Sequence, residues 1–291
     1  MRKNTFYGIL YGASGSLWWG TLGVLYFKSA SFAGTIELVT HRTVWTGFSL
    51  IITTSLFSKW GIFFSIIKEK KKIFYLLLTG VLIFINWSTW IYAVVTNKLI
   101  DASFGYFIMP ILSVFLGILF LKESHNKQKI ISIILVMISV GYLLFNFGSV
   151  PWTGLIVAIT WSTYSLLRKK VNVDTDTGLL IESLFISPLA LLIFYIMIPD
   201  GSSYFSFAEP KIAFWLFLAG PMTVIPLFLF IKGLEKTTMA ASGLIFFVTP
   251  TSQFLLGFFY YNEPFSINKF ISFILIWIAV FIYLKDLYES N

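Results

Sequence analysis

The chain has no cysteine and only two histidines. Disulfides and thiol chemistry are thereby excluded, and a tetrahedral zinc site loses its usual ligands. Charge is scarce as well: 12% of residues are charged, against about 25% in an ordinary soluble domain. Catalytic signatures are missing. There is no H-E-x-x-H, Walker loop or G-x-S-x-G, and no pair of acids placed for hydrolysis, so neither an enzyme, a primary pump nor a cofactor is expected. No long polar segment interrupts the chain, so no soluble domain is expected beside the apolar one. What fills the sequence is apolar, with a mean hydropathy of +0.85 and 19% aromatic residues. A soluble domain of 291 residues cannot hide that much apolar surface. The net charge of +8 does not gather on a soluble arm or an amphipathic face, so nucleic acid is not an expected partner. The bases sit between apolar runs, where a lipid bilayer explains them.

A bilayer core of about 30 Å needs roughly 20 apolar residues in a helix. Ten segments approach that length: 6–27, 36–58, 73–96, 101–121, 129–147, 151–168, 178–198, 211–231, 239–260 and 268–285. The turn residues from Asn146 to Pro151 divide a charge-free run that is too long for one span. The first run is too long for a signal-peptide core and is expected to remain as a helix. On it Gly8, Gly12, Ser16 and Gly20 form a small-residue stripe, which reads first as close helix packing. Placing the N-terminus in the cytoplasm puts sixteen Lys and Arg residues inside, and only Lys28, Lys98, Lys211 and Lys269 outside, with Arg42 within a span. The positive-inside rule then makes both termini cytoplasmic.

Within this apolar background a motif repeats. Pro110, Gly117 and Glu123 return as Pro250, Gly257 and Glu263, and Gly80 returns as Gly220, all at an offset of 140 residues. That offset carries the fourth span onto the ninth and the fifth onto the tenth. Each half, 1–147 and 148–291, therefore holds five spans, and an odd number makes the second half enter from the opposite side. The expected fold is an all-α polytopic membrane protein of ten transmembrane helices, built as two inverted five-helix repeats.

Charges inside spans are costly, so they face a cavity or a partner. The second span carries Glu37, His41 and Trp45 on one face, with Arg42 beside them. Arg42 suits a substrate carboxylate or phosphate, because its planar guanidinium binds such groups bidentately and stays charged. His41 is placed to tune the site or carry a proton, and Glu37 to hold Arg42 when the site is empty or to titrate. The structural alternative is that Glu37 neutralises Arg42 or His41 and pins two helices. Glu182, in the seventh span, matches Glu37 from the opposite side and is a second gating or coupling candidate. It reads equally as an acid favoured near a helix start. Asn86, Trp87 and Trp90 in the third span and Tyr106 in the fourth are candidate cavity residues. The offset takes Asn86 onto Pro226, and Pro226 and Gln253 are candidates from the second half. For the tryptophans, ordinary packing is the competing explanation.

Three further stretches complete a resemblance: Asn86-Trp87, Ala102 to Pro110, and Thr177 to Glu182. With Glu37-x-x-x-His41-Arg42-x-x-Trp45 and Arg168-Lys169-Lys170, they resemble the RarD group of EamA transporters. These belong to the drug/metabolite transporter superfamily. The resemblance implies ten helices in two inverted repeats around a central cavity, and secondary transport across the bacterial inner membrane. It brings no substrate with it. The expected partners are a small-molecule substrate, the bilayer, and a coupling proton or cation; oligomeric state is left open. The leading expectation is transport of an anionic or zwitterionic metabolite, such as an amino acid. The alternatives are export of cationic or aromatic drugs, chloramphenicol-like compounds among them, and a passive channel.

Overall fold

A computed structural model describes residues 3–96, 99–123, 126–147, 152–199, 201–260 and 267–289. Glu263 and the turn at 148–151 lie outside the described residues. The described chain is all helical. The first run forms α1 (Lys3–Trp18), a π-helical turn (Trp19–Gly23) and α2 (Val24–Ser29). It meets α3 (Gly34–Leu56) at a bend of 50°. Gly34 supplies a positive φ of 73° at that corner, a backbone region open mainly to glycine. Then follow a short α4 (Trp60–Ile67), α5 (Lys70–Val95), α6 (Leu99–Leu121) and α7 (Lys127–Phe147).

The second half begins with α8 (Trp152–Val171) and α9 (Thr175–Met197). Two runs expected as single helices are broken. Residues 211–231 fall into α10 (Pro210–Phe217) and α11 (Pro221–Lys236), and 239–260 into α12 (Met239–Ile245) and α13 (Val248–Phe259). Proline explains both breaks. Pro221 starts α11, where its missing N–H costs nothing, and the Pro250 ring conflicts with a helical carbonyl at Phe246. The last helix is α14 (Ile267–Glu289).

Among the described residues, Lys70–Val95, Thr175–Met197 and, with α10 and α11 taken together as one span, Pro210–Lys236 are each long and apolar enough to cross a bilayer, with mean hydropathies of 1.6, 2.2 and 2.1. Large apolar side chains also cover the outside. Leu56, Phe64, Phe115, Ile138, Tyr195 and Phe281 are all exposed. Large apolar side chains on the outside suit a chain solvated by lipid.

Helices pack as α1 on α11, α5 on α8, α6 on α8 and α12, α3 on α9, and α7 on α14. The Gly8–Gly20 stripe serves the packing of the first helix. A Cβ on Gly8 would lie 2.6 Å from the Thr237 side chain, and one on Gly20 would lie 2.7 Å from the Thr249 carbonyl oxygen. Between them the Thr249 hydroxyl donates to the Ser16 carbonyl at 3.0 Å. The repeated motif has a specific job in its first copy. Gly117 leaves a gap, since a Cβ there would lie 2.9 Å from Glu123 Oε2. Through that gap the Glu123 carboxylate accepts from the backbone N–H groups of Met239 at 2.6 Å and Ala240 at 3.2 Å. A first-half acid thus caps the start of α12, where free N–H groups and the helix dipole favour negative charge.

Candidate functional site

The element contacts place one charged group at the centre of an aromatic cavity. Arg42 on α3 is buried, with 4% of its surface exposed. Its guanidinium carbon lies 4.8 Å from the Phe27 ring centroid, 4.7 Å from Trp87 and 5.8 Å from Trp90. These contacts are favourable cation–π stackings, but they satisfy no N–H. Arg42 Nε and Nη1 are buried with no hydrogen-bond partner among the described residues, and so are the indole nitrogens of Trp87 and Trp90. A buried, donor-bearing cation left without acceptors is costly. An acceptor placed in this space would satisfy it.

Asn86 and Tyr106 join Arg42, Trp87 and Trp90 in lining this space. Five of the sequence candidates are therefore brought together. Asn86 has a structural engagement as well, donating to the Val157 carbonyl and to Thr160 Oγ1, each at 3.0 Å. The remaining wall comes from residues that sequence reasoning did not single out. Trp19, Met109, Trp161, Phe246 and Thr249 contribute to it. Trp19 enters from the π-helical turn, and Phe246 from the break between α12 and α13. Trp19 and Trp161 stack edge to face at 5.1 Å, and Trp161 lies 5.4 Å from Phe246.

The repeat offset held a signal for part of that wall. Adding 140 takes Tyr106 to Phe246 and Met109 to Thr249, and all four line the cavity. The water-accessible space is about 40 Å³, enough for a few waters.

Glu37, His41 and Trp45 form a separate group. They share one face, as their spacing requires: Trp45 Nε1 donates to His41 Nδ1 at 3.0 Å, and His41 Nε2 lies 3.7 Å from Glu37. The expected Glu37–Arg42 pair is not formed. Glu37 instead accepts from Ser203 Oγ at 2.8 Å, Tyr204 N at 3.1 Å and Phe205 N at 3.0 Å. The physical reason is helical phase together with a better set of donors. Arg42 lies roughly 140° round the helix from Glu37, at 3.6 residues per turn, and three fixed donors from the 203–205 segment satisfy a carboxylate well. His41 stacks on Phe205 with centroids 4.9 Å apart, so this trio anchors a connection. Trp45 packs on Phe217 at 5.1 Å, and a Cβ on Gly220 would collide with the Trp45 carbonyl group.

Glu182 belongs to a second buried charge cluster. It accepts from Thr79 Oγ1 at 2.6 Å and from the Tyr164 hydroxyl at 3.2 Å, and lies 3.5 Å from Arg168 Nη1. The cluster joins α5, α8 and α9. Near it Lys59 pairs with Asp176 at 2.5 Å and Asp174 at 3.3 Å, and Lys169 donates to the carbonyls of Leu234 and Thr237. Pro226 and Gln253 do not line the cavity. The Pro226 carbonyl faces Gly15, and Gln253 Nε2 is buried without a partner among the described residues. Among the described residues no group of acids and histidines is placed to hold a metal ion.

Residues 6–145 and 149–285 each match the EamA-like transporter family. The chain is 31% identical to the protein RarD of Escherichia coli (strain K12), over 98% of this chain and 96% of that protein. It is 34% identical to the uncharacterized transporter YojE of Bacillus subtilis (strain 168), over 95% of this chain and 93% of that one. A solved crystal structure of 16% identity superposes with a TM-score of 0.69, covering 94% of this chain and 96% of that one. At that identity the likeness is one of fold.

Proposed function

The chain belongs to the EamA-like transporter family, and from that membership we propose that it is a secondary transporter moving a small organic anion or zwitterion by alternating access. It is a membrane transporter, not an enzyme. The observation that carries the substrate reading is the buried Arg42 guanidinium, which has two nitrogens without partners in an aromatic cavity. Arg42 binds the anionic group, Trp87, Trp90 and Tyr106 shape the space, and Asn86 ties it to α8. A permanent cation would meet Arg42 with no carboxylate among the described lining residues, which disfavours the cationic-drug alternative.

The proposed architecture is ten spans in two inverted five-helix repeats, 1–147 and 148–291, in the bacterial inner membrane with both termini cytoplasmic. Two features support the inversion. The family match falls on each half separately, and repeat-equivalent glycines make crossed contacts: Gly80 of α5 packs on α9, while Gly220 packs on Trp45 of α3. Rocking one half against the other exposes a midplane site to each side in turn. The Glu37 anchor and the Glu182–Arg168 cluster sit on that path as gating groups, and Glu182 is the acid proposed to exchange a coupling proton.

Thermal stabilisation of the purified protein by a metabolite and drug panel, with Arg42→Ala beside it, tests the anion site. A ligand that binds the folded state raises its Tm. Carboxylate-bearing hits lost in Arg42→Ala are expected. Hits confined to lipophilic cations and unchanged in the variant would contradict the reading.

A further inference from the structure

The cavity's inventory of donors and charges is narrower than an amino-acid site needs. Among the described residues, Arg42 is the one charged residue lining it. The two acids nearest in the sequence argument are occupied elsewhere. Glu37 is held by Ser203, Tyr204 and Phe205, and Glu182 by Thr79, Tyr164 and Arg168. The unpartnered buried groups at the cavity are donors: Arg42 Nε and Nη1 and the indole N–H groups of Trp87 and Trp90. The Thr249 hydroxyl and the Asn86 amide nitrogen are already committed, to Ser16 and to Val157 and Thr160.

A carboxylate supplies acceptors to such a site and no donors, so it answers the unpartnered set. An ammonium group brings three donors and a second positive charge, for which the described lining residues supply no carboxylate. Aromatic faces can hold an ammonium, but Phe27, Trp87 and Trp90 already stack on the guanidinium. Much of the remaining lining is aromatic. Trp19, Trp161 and Phe246 pack there with centroids 5.1 to 6.0 Å apart, and Tyr106 lies 5.8 Å from Phe246. A flat ring matches this wall, because offset and edge-to-face contacts suit it.

We propose that the cavity takes a monoanion with a planar aromatic body, an aryl carboxylate, and selects it against the corresponding zwitterion and amine. The proposal rests on the reading of Arg42 as the anion site and narrows the substrate from organic anions or zwitterions to aromatic monoanions. Discrimination lies in desolvation: the ammonium loses water and gains no counter-ion.

Four probes that share a phenylethyl body and differ in the polar groups it carries test this on the wild-type protein: 3-phenylpropanoate, phenylalanine, phenethylamine and 3-phenylpropanamide. Their dissociation constants come from thermal stabilisation or calorimetry in detergent, with short aliphatic carboxylates run beside them. Binding of 3-phenylpropanoate, with phenylalanine and phenethylamine each at least about tenfold weaker, is the expected result, and Arg42→Lys should weaken the anion. Phenylalanine binding as tightly as phenylpropanoate would overturn the proposal while leaving the anion site intact. Aliphatic carboxylates binding when no aromatic probe does would have the same meaning. Phenethylamine binding tightest, undiminished by Arg42→Gln, would overturn the proposal and the anion site together. Because the four-probe comparison needs no variant, a failure of Arg42 variants to fold leaves the test intact.

Discussion

Glu37 and Arg42 occupy one helix yet do not meet: Glu37 is held by the donors of Ser203, Tyr204 and Phe205, while the Arg42 guanidinium stacks on Trp87 with its centre 4.7 Å from the ring. This separation of acid from base leaves the cation available to a ligand. On the proposed reading the second-span charges divide into an anchor and a binding group, which should respond differently to mutation.

Glu37→Gln should lower Tm, because it weakens acceptance from two backbone N–H groups and a hydroxyl. Charge-assisted hydrogen bonds contribute about 1.5–3 kcal/mol each, so several degrees of loss are expected. Ligand affinity should change less than in Arg42→Gln. Thermal melts and ligand titrations on both variants check this, and a Glu37→Gln protein of unchanged Tm that no longer binds would place Glu37 in the site.

The cap made across the halves predicts a second loss. Gly117→Ala puts a Cβ in the path of Glu123, and Glu123→Ala removes the acceptor for Met239 and Ala240. Each should cost about 0.5–2 kcal/mol, the usual range for a lost N-cap. The double variant should cost little more than the larger single one, since both changes disrupt one interaction. Gly61→Ala, with nothing within 4 Å of its Cβ, should be neutral or slightly stabilising.

The Arg168–Glu182 pair is buried on both sides, with side-chain exposures of 1% and 2%. Removing one partner leaves an uncompensated charge, typically at a cost of about 3–5 kcal/mol. Arg168→Met should therefore destabilise more than Arg168→Met with Glu182→Leu. Urea or thermal unfolding of the single and double variants measures the difference, and additive losses would show that the pair is not coupled.

How much of this was legible in the sequence follows from where each partner lies along the chain. Arg42 was legible because an arginine in an apolar span needs a cavity, and Asn86, Trp87 and Trp90 because polar and aromatic residues cluster one turn apart in another span. The destination of Glu37 was not. Its donors lie more than 160 residues away, in a connection with no basic residue or motif to announce it. Trp19, Trp161 and Phe246 were hidden among 10 tryptophans and 32 phenylalanines, where composition cannot separate cavity wall from packing. The repeat offset would have found Phe246 through Tyr106, but not Trp19, whose inward turn depends on a π-helical insertion. Breaks within two expected helices were marked by Pro221 and Pro250; hydropathy alone joined them.

At the Lys59 end of α9, pH should act through Asp174. Burial raises its carboxyl, but the hydrogen bond with Asp176 and the charges of Lys59 and Lys232 outweigh that and hold it below its ordinary value. A depressed folded-state value gives stability that is present above the unfolded value, about pH 4, and is lost as pH falls through the folded one. The Tm difference between wild type and Asp174→Asn should thus favour wild type near neutrality and shrink as the solution is acidified. A difference independent of pH would deny Asp174 its ionic role.

The central claim is that Arg42 binds the anion that is carried. Uptake of labelled 3-phenylpropanoate into proteoliposomes, with wild type beside Arg42→Lys and Arg42→Gln, tests it most directly. The account predicts saturable uptake, accelerated by unlabelled anion preloaded inside, reduced in Arg42→Lys and abolished in a folded Arg42→Gln protein. Equal, saturable uptake by wild type and Arg42→Gln would contradict it.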